Sequence, residues 1–103
     1  MNIAKKTNQL ISLLDKFLKG KITSDTLVAF VWEIIDFFTE TPKNDLPPEV
    51  PIENIFWYAV WEIQHLSDDE HMSNESCQSQ MRDILAYLRR DKQLPSKYRG
   101  KRP

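Results

Sequence analysis

Residues 22–40 read ITSDTLVAFVWEIIDFFTE, and the fold follows from how this stretch is read. Ten of the 17 residues from Ser24 to Glu40 are apolar. On a helix they surround most of the cylinder and leave a narrow seam of Glu33, Asp36 and Glu40, with Ala29 one turn earlier. A helix apolar almost all round needs other helices around it. This one is too short and too charged to span a membrane. The stretch therefore predicts a central helix, packed on several sides, with one acidic edge in water.

The neighbouring segments supply the partners. Leu10, Leu13, Leu14, Phe17 and Leu18 make an apolar stripe on a first helix from about Ile3 to Lys19, which Gly20 stops. Thr23 is the expected N-cap of the second helix, with Asp25 in the first turn and Ile22 and Leu27 spaced as a staple. A three-residue connection makes these two helices antiparallel neighbours. Pro42, Pro47 and Pro48 break the chain, and Pro51 opens a third helix to about Leu66. Its expected buried stripe is Ile52, Ile55, Phe56, Ala59, Ile63 and Leu66. Trp57 and Trp61 lie beside that stripe, and Tyr58, Glu62 and His65 lie on a flank. Ser73 is the expected cap of a fourth helix, with Met72 and Cys77 as its staple. Cys77, Met81, Ile84, Leu85 and Leu88 form its stripe, and it frays near Arg90 or Asp91. The fold class expected is all-α, an antiparallel bundle of four main helices. The helical domain is placed at 1–91 and a basic C-terminal tail at 92–103, extended and pinned back by Tyr98, or else a disordered solubilising end.

At 103 residues, 41% hydrophobic and 11% aromatic, the chain is one globular domain. A single cysteine, no signal-peptide pattern and no long apolar run lead to an expected cytoplasmic location with no membrane partner. The net charge of −1 conceals a polarised chain. Thirteen acids and two bases between Ile22 and Leu88 give −11, whereas the first 21 residues carry +4 and the last 15 carry +6. Such a charge pattern bears on partners more than on fold.

No chemical constellation stands out. His65 and His71 are six apart and do not share a helical face, so with Asp68, Asp69 and Glu70 they read as a solvated loop and not a metal site. Cys77 falls on a buried stripe, where a thiol packs as a small hydrophobe. Two glycines cannot build a phosphate loop. No catalytic residue, cofactor or metal is expected, and the chain is expected not to be an enzyme. What remains is an acidic surface with aromatics beside it: Glu33, Asp36, Glu40, Asp45, Glu62, Asp68, Asp69 and Glu70, with Trp57, Tyr58 and Trp61 as possible anchors. That arrangement suits a basic protein partner. A nuclease must carry cationic groups for phosphates, and an acidic protein could block them. The alternative is a small nucleic-acid-associated regulator using the basic tail, but the −11 body would repel a polyanion, so nucleic acid is not the expected partner.

The segment LLDKFLKGKITSDTLVAFVWE, through Leu13, Leu14, Phe17, Leu18, Gly20, Ile22, Thr23, Phe30 and Trp32, resembles the N-terminal signature of the bacterial self-protective, colicin D-like immunity proteins. Immunity proteins of contact-dependent growth inhibition systems are similar in size and logic. The resemblance implies a small antiparallel helical bundle. It further implies an inhibitor that binds a co-produced toxin domain, often an RNase, and protects the producing cell.

Overall fold

The structure, a computed structural model, describes residues 1–67 and 74–103. Four helices, α1 (Ile3–Leu18), α2 (Ser24–Glu40), α3 (Glu53–Ser67) and α4 (Glu75–Leu88), form a four-helix bundle, with a single 3₁₀ turn at Lys43–Asp45 between α2 and α3. Helices adjacent in sequence pack together, and α4 closes the square against α1. The core takes Leu10 and Leu14 from α1, Leu27, Val31 and Ile34 from α2, Phe56, Trp57, Val60 and Ile63 from α3, and Met81, Ile84 and Leu88 from α4. No helix among the described residues is long and apolar enough to cross a membrane.

Local chemistry sets the helix ends. Asn2 caps α1, its Oδ1 accepting from Lys5 N at 3.0 Å. At the other end Gly20 adopts φ +72°, Gly20 N donates to Phe17 O and Lys21 N to Lys16 O. Those two bonds make a Schellman stop, which needs a left-handed residue that glycine supplies at no steric cost. α4 ends the same way with Arg90 in that position at φ +62°, Arg90 N donating to Tyr87 O and Asp91 N to Ala86 O.

Three expectations are corrected. α2 is not wrapped: it packs on α1 and α3, has no packing contact with α4, and buries a single stripe of Leu27, Val31, Ile34, Ile35 and Phe38. With only two neighbours α2 keeps its outer face open, so Val28, Phe30 and Phe37 end half-buried and Trp32 is 41% exposed. α1 and α3 each touch all three others, because they also meet across the diagonal that α2 and α4 leave open. The stripe of α3 runs through Trp57 and Val60, while Ile52, Ile55 and Leu66 sit at its margins. The cap of α4 is Asn74, whose Oδ1 accepts from Cys77 N at 2.8 Å; Ser73, named for that role, and Met72 of the expected staple lie outside the described residues. Thr23 does hold the N-cap position of α2, but its side chain makes no capping hydrogen bond.

Candidate functional site

The acidic edge of α2 is laid out by helical period. Glu33, Asp36 and Glu40 are exposed, as is Asp45 in the 3₁₀ turn beyond, and none of the four is in an ion pair among the described residues. Trp32 lies one turn before Asp36 on the same side, so a large exposed indole borders unneutralised carboxylates. The reading of α2 as apolar all round had assigned Trp32 to the interior. Its wheel position, one turn from Asp36 and from Ala29, was the available signal.

The aromatics of α3 divide differently from expectation. Trp57 is 1% exposed and belongs to the core, set edge-on to Phe38 at 4.8 Å and to Phe56 at 5.1 Å. It has no surface to offer a partner, so its candidacy as an anchor is withdrawn. Trp61 is half-buried, its Nε1 donating to Lys101 O at 2.7 Å. Tyr58 is half-buried and stacks on Tyr98 at 5.3 Å with 24° between the ring planes. Glu62 is half-buried on the side of α3 that meets α4, in a cleft with Asp83. The acids therefore form two separate groups: α2 and the turn after it in one, the α3–α4 cleft in the other. Asp68, Asp69 and Glu70 lie outside the described residues.

The basic tail is docked on the body. Gly100 N donates to both Asn54 O (3.2 Å) and Asn54 Oδ1 (3.1 Å). A Cβ at Gly100 would collide with backbone atoms of Tyr58, Trp57 and Asn54, so only glycine allows this approach. Arg102 then reaches the buried Glu53, with Nε to Oε1 at 2.6 Å and Nη2 to Oε2 at 2.8 Å, while its guanidinium lies 5.1 Å over Phe38. Glu53 also accepts from Trp57 Nε1 at 3.0 Å and Val50 N at 2.7 Å. Desolvation pushes the Glu53 carboxyl up, but the Arg102 guanidinium, the indole and the Val50 N–H together hold it below its ordinary value. Glu53, Gly100 and Arg102 were not singled out in the sequence. A carboxylate four residues before a tryptophan at the start of a helix was the one hint of a buried acceptor.

Among the described residues no three His, Cys, Asp or Glu side chains are grouped to hold a metal ion. Cys77 is buried on the inner face of α4. What fold and site define is a small helical bundle with a tryptophan-bordered acidic edge on one helix and a strapped-down C-terminus on another. No family model, no curated protein and no solved structure matches the chain.

Proposed function

We propose that this protein is an immunity protein: it binds a cognate bacterial toxin domain, a nuclease such as an RNase, and blocks it through an acidic face. The observation that carries the reading is the outer edge of α2, where Trp32 stands exposed beside Glu33, Asp36 and Glu40, none of which is in an ion pair among the described residues. Carboxylates without internal partners attract a basic protein over a Debye length and speed its capture. An exposed tryptophan next to them is the residue type that most often carries binding energy once desolvated. The helix–Gly–helix segment that resembles colicin D-like immunity proteins ends on this same helix. The reading assigns the chain no catalytic step, and it places the work in the cytoplasm of the toxin-producing cell.

The docked tail removes much of the appeal of nucleic-acid binding. Arg102 is buried against Glu53, whereas Lys92 beside Asp83 and Arg89 beside Asp15 form exposed pairs. Co-expression with the C-terminal toxin domain encoded beside this gene is the decisive experiment. The expected result is restored growth and a 1:1 complex on gel filtration. Continued toxicity with no complex, or tight RNA binding by the chain alone, overturns the reading.

A further inference from the structure

The geometry points to a binding site for one arginine side chain of a protein partner, in the cleft where Tyr58, Tyr87 and Tyr98 meet Glu62 and Asp83. The cleft has a volume of about 250 Å³ and lies between α3, α4 and the docked tail. Its origin is a pair of matched spacings. On α3, Tyr58 and Glu62 are one turn apart; on α4, Asp83 and Tyr87 are one turn apart in the reverse order. Antiparallel packing sets tyrosine against tyrosine and carboxylate against carboxylate. The rings of Tyr58 and Tyr87 meet at 6.1 Å and 68°, and Tyr98 adds a third wall stacked on Tyr58.

Two carboxylates facing one small space repel each other unless a cation joins them. Lys97 Nζ lies 5.1 Å over the Tyr98 ring, and a second internal ammonium sits at one side, Lys92 Nζ being 3.0 Å from Asp83 Oδ1. Both partners of that pair are well exposed, so solvent screens it. Glu62 has no ion-pair partner among the described residues. The Tyr58 phenol is pushed up to about 12, chiefly by burial and then by Glu62, so its ring stays neutral at physiological pH. A guanidinium suits this lining better than an ammonium does. It can lie flat on a tyrosine face while two parallel N–H groups bond one carboxylate. The molecule makes that same arrangement internally, where Arg102 covers Phe38 and bonds both oxygens of Glu53. The site stands apart from the α2 edge and does not depend on the immunity reading.

The test is a nuclear magnetic resonance titration of the full chain with acetyl-Gly-Arg-Gly-amide, set against the peptide carrying citrulline, which has nearly the same shape and no charge. The arginine peptide is expected to give saturable shifts centred on the rings of Tyr58, Tyr87 and Tyr98, and the citrulline peptide none. Glu62→Gln should weaken binding about tenfold by removing the charged acceptor. Tyr98→Ala, which lies outside the helices, should weaken it with helical circular dichroism unchanged. Equal shifts from citrulline, no saturation at the three rings, or undiminished binding in Glu62→Gln overturns the assignment.

Discussion

At the scale of single residues, the strongest commitment in the molecule is the pair Glu53–Arg102, with side chains only 7% and 15% exposed. Burial makes both charges costly unless each is paired, and here the carboxylate is satisfied four times over. Arg102→Ala leaves Glu53 buried without its cation. The expected loss is about 2 kcal/mol in urea unfolding. Glu53 is held below the ordinary 4.5, so its contribution is complete above that pH and is lost as the pH falls through the lower folded value. Wild type and Arg102→Ala should therefore converge in stability as the pH drops below about 4.5; a gap that stays constant down to pH 3 would show that the guanidinium acts by packing on Phe38 alone. Gly100→Ala probes the same strap through shape. The added methyl meets main-chain atoms of α3, which cannot swing aside as a side chain can. The tail should lift, exposing its last residues to carboxypeptidase while the four helices persist. Protection equal to wild type would mean the strap tolerates a Cβ, contrary to its geometry.

At the scale of elements, the ends of helices separate what a sequence discloses from what it hides. The stripe on α4 was legible because that helix is polar on most of its surface, so its few apolar positions point inward; on α1 Leu10, Leu14 and Phe17 are buried as expected, while Leu13 and Leu18 end half-buried. α2 misled because ten apolar residues look like full burial, whereas the bundle had only two neighbours to give it. Trp57 and Trp61 are one turn apart and look equivalent, yet one is core and the other reaches Lys101. That difference depends on a partner 40 residues away, which no local pattern encodes. The same holds for Glu53 and Arg102, 49 residues apart. Caps are closer to the local limit. Thr23 has the right residue type and the right position, but its hydroxyl lies 3.5 Å from that of Thr26 and bonds no backbone N–H. Thr23→Ala should accordingly cost only a few tenths of a kcal/mol, and Asn74→Ala, which loses a real capping bond, about 1 kcal/mol. Equal costs in thermal unfolding would overturn this ranking. At the far end of α4, Arg90 holds a left-handed conformation that suits glycine. Arg90→Gly is expected to raise stability by about 0.5–1 kcal/mol, and a fall would indicate that the side chain contributes more than its backbone costs.

At the scale of the whole molecule, the two ends of the charge distribution are handled in opposite ways. The basic C-terminus is folded against α3, and several of its cations are answered by Glu53, Asp83 and Asp15. The acids of α2 have no ion-pair partner among the described residues. A charge satisfied internally supports the fold; a charge left open supports an encounter. The two should therefore respond differently to mutation. Replacing Glu33, Asp36 and Glu40 together by Lys should leave stability within about 0.5 kcal/mol per site, because each is exposed and in no ion pair among the described residues. The association rate with the proposed toxin partner should fall by tenfold or more at low salt, and its dependence on ionic strength should flatten. Trp32→Ala should act later, shortening the lifetime of the complex with little change in association rate, since an aromatic anchor contributes after water is expelled. Stopped-flow association and surface-plasmon dissociation measure the two separately. If the triple reversal unfolds the protein, those carboxylates are structural. If it leaves association untouched, the partner docks elsewhere and the open edge of α2 is only a solvated face.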